Sequence, residues 1–560
     1  MLELFVDQVA AWAGIYHRLL TSHPATAGLW LAVGLALTIQ LARAYRRGDM
    51  RAALGLVAAF VVALQLISFG DDVSHHVYRV AAIAGQLRAG APSLLLADAA
   101  TGTVLPTFVY YSLLPYLPSV LLNLAGVPAF VAVKVIAGAA LMVMAAGVRA
   151  LVDEHAARTN GQPGAAAYLV AILFLTANYV FGLWIARAAF AEIWVYCLVP
   201  WVTLFLLRGN FAALIALLFV QLCAHPLVFA QALASELLVA LVLAASLPRH
   251  LIRIGLPALL GALLLSSPYW LPLLLWKDHI LGSRALPATF AQSFMGIGAL
   301  FDPRLALSIG PFLPLALLAM LVLRRFGLPV RAWLGLACIG LLLAMQTRPL
   351  EPLVSLVPVL NESLFVWRLM LPTAFAAFGV LVVGWPAQAV SPRRALAAVS
   401  LLAVAPLLVT FVRALPGSFF SLEAHANEEP VLMRTYGTDG LGWGVREFVP
   451  SYARLPDACH ARRPDTPRVT TADLRRRVRA AGPYLAVRRA PVGTVSYEAD
   501  GAAVGLGACG DDLILGPLIP GAQVRLSETR LDRLLWLRLA VLLVVPLLLL
   551  AFRRSATARA

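Results

Sequence analysis

The densest chemistry in the sequence lies in one short stretch, Asp71-Asp72-Val73-Ser74-His75-His76-Val77-Tyr78-Arg79. Two adjacent carboxylates at the end of an apolar run are not needed to insert or orient a membrane helix. In one reading they are solvated loop acids that cap the helix after them, since Asp is a favoured N-cap. In the other, Asp71 or Asp72 is a general base or metal ligand, with His75 and His76 assisting. A carboxylate partly removed from water beside a cation can be tuned for proton transfer near neutral pH. From 73 to 88 the apolar residues recur at helical spacing, with Arg79 and Arg88 between them. This pattern predicts an amphipathic helix lying on a membrane surface.

Further candidates are scattered along the chain: Arg187 with Glu192, His225 before Pro226, Lys277-Asp278-His279, and Trp367-Arg368. Singly they read as an interfacial ion pair, a packing histidine, and aromatic or basic anchors. Together they place acids, histidines and cations on one side of the membrane. Arg and Lys there are suited to holding a lipid phosphate. Midspan positions are nearly free of charge, with Lys134 as the main exception.

The elements that must position these residues follow from composition. Over 560 residues, 61% are hydrophobic and 13% charged, against about 25% charged in soluble domains. Apolar runs recur at 27–44, 52–69, 128–149, 164–183, 190–207, 211–224, 231–248, 254–275, 305–323, 331–346, 366–385, 395–412 and 535–552. Many are close to the roughly 20 residues that cross a bilayer, which gives about 13 spans. Segment 107–126, with Tyr110, Tyr111, Pro115, Tyr116 and Pro118, suits an interfacial or re-entrant helix better than a clean span. Glu3 and Asp7 precede any apolar core, so a cleavable signal is not expected. Under this assignment every basic cluster flanking a span falls on one side, as the positive-inside rule requires. The acids at 71–72 and the segment 413–534 then fall on the other side.

The net charge of +16 comes from Arg in loops and in one late segment. There is no basic stripe interleaved with aromatics, so nucleic-acid binding is not expected. Three modules result: a transmembrane module 1–412 with outer loop 70–127, an extracytoplasmic α+β domain 413–534, and a final helix with basic tail 535–560. Strand-like pieces at 485–488 and 513–516, and an Arg-rich helix around Arg475–Arg479, characterise the middle one. Cys459 and Cys509 are the two cysteines of that polar segment and read as a disulfide if it faces an oxidising compartment. Cys197, Cys223 and Cys338 read as small packing residues.

The order of motifs resembles the glycosyltransferase C superfamily (GT-C) of polytopic membrane enzymes. Its nearest likeness is to bacterial membrane proteins known as 6-pyruvoyl-tetrahydropterin-synthase-related, and to the lipoteichoic-acid-glycosylating group. The residues that carry it are Asp-Asp-x-x-His-His-x-Tyr-Arg at 71–79, Ala-Arg-Ala-Ala-Phe-Ala-Glu at 186–192 and Ala-His-Pro-Leu at 224–227. Ser-Pro-Tyr-Trp-Leu-Pro at 267–272 and Phe-Val-Trp-Arg-Leu at 365–369 complete the series. The resemblance implies an all-α GT-C-like membrane module in the bacterial cytoplasmic (inner) membrane, with its site on the extracytoplasmic face. It implies a polyprenyl-phosphate sugar donor, a glycan, lipid or protein acceptor, and inversion at the sugar. Asp71 or Asp72 would be the base. His75, His76, Arg79, Arg187, Glu192, His225, Lys277, Trp367 and Arg368 would bind substrate. Metal dependence stays open. The rival readings are a transporter or flippase of a lipid-linked glycan, and a non-catalytic partner in envelope assembly.

Overall fold

The protein is described by a computed structural model. Described are isolated positions from 36 to 49, then residues 50–67, 73–97, 104–105, 107–159, 164–244, 250–276, 293–356, 365–385 and 456–543, the stretches from 293 and from 456 with short breaks. Asp71, Asp72, Lys277, Asp278, His279 and the runs 395–412 and 413–455 lie outside them.

The helices used below are α1 Met50–Ile67, α2 Val73–Arg88, α3 Ala129–Arg158, α4 Ala165–Leu175, α5 Phe190–Arg208, α6 Phe211–Ala224, α7 Pro226–Leu243, α8 Phe312–Arg324, α9 Val330–Met345 and α10 Met370–Gly384. Hydropathy located most of them within a few residues, because an apolar run that long is stable only as a helix in lipid. The chain is mostly helical, with a small strand-built region near its C-terminus. Among the described residues, four helices are long and apolar enough to cross a membrane, or six if two bent pairs each make one span. The expected total of about 13 is not reached by that count. One bent pair, α4 with Asn178–Ile185, turns by 45°. Segment 107–126 is broken into Thr107–Tyr110, Leu114–Tyr116 and Leu117–Leu124, too short to span.

The chain divides into two compact units. The first gathers residues 1–73, 130–262 and 288–427. Its centre is α10, which packs against α4, α7, α8 and α9. All but one of the α10 residues are buried, as expected of a helix that is apolar all round. Close approach depends on small residues, as is common between membrane helices. A Cβ on Gly335 of α9 would stand 2.5 Å from Val380 and 2.9 Å from Val242.

The second unit comprises residues 74–129, 263–287 and 428–560. It holds the rest of α2, the broken helices of 107–124, helical residues 531–543 and two small sheets. The strands are β1 Leu96–Ala97, β2 Val104–Leu105, β3 Arg468–Val469, β4 Val478–Arg479, β5 Leu485–Arg488, β6 Ser496–Ala499, β7 Ala502–Ala503, β8 Leu506–Cys509, β9 Asp512–Leu515 and β10 Gln523–Ser527. Beyond the β1–β2 hairpin, one sheet runs β4-β10-β6-β7 and the other β3-β5-β9-β8. β10 alternates exposed Gln523 and Arg525 with buried Val524 and Leu526, the period-two signature of a half-buried strand.

The Arg-rich helix expected around Arg475–Arg479 does not form among the described residues. Arg477 adopts φ +70°, a conformation that cannot continue a right-handed helix, and Val478–Arg479 pair as a strand with β10. The structure joins Cys459 to Cys509, with Cα atoms 4.7 Å apart.

Candidate functional site

In the first unit, two departures from α-helical geometry build the candidate centre. After α4, the helical turn Asn178–Gly182 runs into a π-helix at Leu183–Arg187, which ends at Ala188 with φ +50°. π-turns and left-handed non-glycine residues cost energy and concentrate at functional positions. Here they turn Arg187 back toward the first turn of α5, where Glu192 sits. The second departure is a 3-10 turn, Val366–Leu369, that leads into α10 and carries Trp367 and Arg368.

These turns bring together residues 176 positions apart. Arg368 Nη2 donates to Glu192 Oε1 at 2.6 Å, and Arg187 Nη1 donates to Glu192 Oε2 at 3.1 Å. One carboxylate thus orients two guanidiniums, each through its own oxygen, by charge-assisted bonds. The Arg187 guanidinium lies 4.6 Å from the Trp367 ring centroid, and Arg368 lies 4.8 Å from Phe365 and 5.3 Å from Trp367. Phe365 and Trp367 stack at 5.3 Å. Glu192 is 3% exposed at its side chain and Arg368 9%, whereas Arg187 keeps 18%. Arg187 is the most exposed of the three. Arg368 Nε is buried without a hydrogen-bond partner. His225, between α6 and α7, is buried and interacts electrostatically with Glu192.

The opposite ends of these helices form a different region. Glu154, near the end of α3, accepts from Arg158 and Arg208, both at 2.8 Å. Asp153 accepts from Arg51 at 3.3 Å and from the Tyr168 hydroxyl at 2.5 Å. These bonds place the start of α1, the end of α3 and the end of α5 together, as the alternating basic loops predict. Arg208 is sixteen residues beyond Glu192 on α5, or about 24 Å along the axis at 1.5 Å per residue.

In the second unit, α2 buries polar residues that its sequence pattern would have left on a surface. His75, His76 and Arg79 are all buried. Arg79 Nη1 donates to the Tyr116 hydroxyl at 2.9 Å, and that oxygen lies 2.8 Å from His76 Nδ1. The Arg79 guanidinium sits 4.0 Å over the Tyr111 ring. Tyr111 and Tyr116 of segment 107–126 therefore receive the polar face of α2. Arg538 donates to the carbonyls of Pro268 (2.9 Å), Phe108 (2.5 Å) and Val109 (3.2 Å).

Of the expected site residues, Arg187, Glu192, Trp367 and Arg368 form one cluster with His225 in electrostatic reach. His76 and Arg79 form another with Tyr111 and Tyr116. The sequence reading did not single out Glu236, a fully buried carboxyl within α7. Its signal was present, as an acid inside an apolar run. Among the described residues, no group of three or more His, Cys, Asp or Glu side chains could hold a metal.

No family model matches the chain, and no curated protein matches it. Among solved structures it is similar to the arabinofuranosyltransferase AftD from Mycobacteria, at 17% identity and a TM-score of 0.42. The match covers 85% of this chain and 40% of that one. A likeness at that level establishes no chemistry for this chain.

Proposed function

We propose that the protein is a membrane glycosyltransferase that moves a sugar from a polyprenyl-phosphate donor to an extracytoplasmic acceptor. The observation that carries this reading is the buried Glu192 carboxylate fixing Arg187 and Arg368 beside Trp367, at the starts of two apolar spans. Preorganised guanidiniums at a span end are suited to a phosphate whose lipid lies among the helices. The ordered motifs at 71–79, 186–192, 224–227, 267–272 and 365–369 support the same reading.

In the proposed reaction, Asp71 or Asp72 accepts the proton of an acceptor hydroxyl. Its oxygen bonds to the anomeric carbon from the face opposite the phosphate. The bond from that carbon to the phosphate oxygen breaks, the configuration inverts, and the polyprenyl phosphate leaves with the bonding pair. Arg187 and Arg368 stabilise the charge that develops on the leaving phosphate. Holding donor and acceptor in line supplies a further share of the rate.

The test compares Asp71→Asn, Asp72→Asn and Arg187→Ala, each purified in detergent with a short-chain polyprenyl-phosphate sugar. One Asn variant should lose about 10²–10⁴-fold in transfer rate, the range of a general base, while still binding donor. Arg187→Ala should lose donor binding. Full transfer by both Asn variants overturns the proposal. A transporter or flippase is the second reading, favoured by Glu236 and Lys134. Both are fully buried within apolar helices, where transporters keep ionisable groups. Donor translocation in vesicles without transfer would select it.

A further inference from the structure

Glu236 has no part in the proposed chemistry, yet an acid inside a membrane helix is costly and by default marks a functional position. It is the eleventh residue of α7, near the middle of an apolar helix, and it is 1% exposed. Its Oε1 accepts from Gln221 Nε2 at 2.7 Å, and the same nitrogen donates to the Val195 carbonyl at 3.0 Å. Those two acceptors fix the orientation of the Gln221 amide. They leave two oxygens on adjoining groups, Glu236 Oε2 and Gln221 Oε1, buried and without a hydrogen-bond donor.

The helices packed against α7 bring no described cation to its middle. α5 carries Tyr196, Cys197 and, at its far end, Arg208, α6 carries Cys223, α9 carries Cys338 and, near its start, Arg331, and α10 has no titratable side chain. Glu192, Arg187, Arg368 and His225 belong to the cluster at the start of α5, near Tyr196. That tyrosine follows Glu192 by one helical turn, and its hydroxyl donates to Gln231 Oε1 at 3.2 Å.

We infer that Glu236 is a proton-binding site inside the helix bundle, a neutral carboxylic acid with its proton on Oε2. An unpaired carboxylate in apolar surroundings would cost several kcal/mol. A single proton removes that charge and turns Oε2 into a donor for Gln221 Oε1. The acid and the amide then form a reciprocal pair, each donating once to the other, and both orphaned oxygens are satisfied. A monovalent metal ion would need more oxygen ligands than these two groups offer.

The test is infrared spectroscopy of the purified full-length protein across its stable pH range, without added ligand. The wild type should show a protonated-carboxyl C=O stretch that shifts when glutamate is carboxyl-labelled with ¹³C, and Glu236→Gln should lose it. If Glu236→Gln does not fold, Gln221→Leu takes its place and should shift the labelled band, because the carboxyl loses its amide partner; an unchanged band there overturns the inference. Absence of a labelled band at every pH, its survival in Glu236→Gln, or a requirement for added Na⁺ overturns the inference.

Discussion

Glu192 and Glu154 are the same chemical arrangement at opposite ends of α5. Each carboxylate receives two guanidiniums through separate oxygens. They differ in their solvent. Arg158 and Arg208 keep 34% and 50% side-chain exposure, and Glu154 14%, so water and salt screen most of the attraction. Arg187, Arg368 and Glu192 lose that competitor, and each bond becomes costly to break. Identical ion-pair chemistry is therefore a surface staple at one end and a rigid fixture at the other. Only the second can hold a charged ligand without reorganising.

The largest expected effect comes from breaking the buried triad. Glu192→Ala or Arg368→Ala should cost about 3–5 kcal/mol, the penalty for leaving a buried charge uncompensated, read as a large drop in thermal midpoint in detergent. Arg187→Lys comes next. It keeps the charge but loses the planar contact with Trp367, worth roughly 1–2 kcal/mol when partly desolvated, and donor affinity should fall while the fold survives. Glu154→Gln should cost no more than about 1 kcal/mol, with the difference shrinking as salt is added. An equal loss of stability at the two glutamates would break the comparison.

The smallest effect should come from Asp473 in the strand-built region, which is almost fully solvated and is held by neutral donors. The Thr470 hydroxyl and amide donate to it at 2.6 and 2.9 Å and keep its carboxyl below the usual carboxylate range. A depressed folded value means that this contribution is complete above the unfolded value of about 3.9. It is lost as pH falls through the folded value. Asp473→Asn should therefore leave neutral-pH stability almost unchanged and slightly flatten its decline in acid, as followed by circular dichroism.

Much of this architecture was legible from residue order. The helix bounds of α5, α6 and α9 follow their apolar runs almost to the residue, and β5 and β9 fall at or within one residue of the strand-like pieces. The meeting of Arg368 with Glu192 was not legible, because nothing local in either segment encodes a partner 176 residues away. The fate of Arg79 and His76 was hidden too. Helical periodicity shows that residues share a face, but not that tyrosines from 107–126 will cover it.

The sequence by itself determined the membrane class, the end-to-end alternation of basic loops and the candidate cations, because hydrophobic transfer and charge placement act locally along a chain. The tertiary structure alone decided which carboxylate holds which arginine, and that Glu236 faces an amide with no described cation beside it. Such pairings depend on how helices distant in sequence pack, and on how much water that packing excludes.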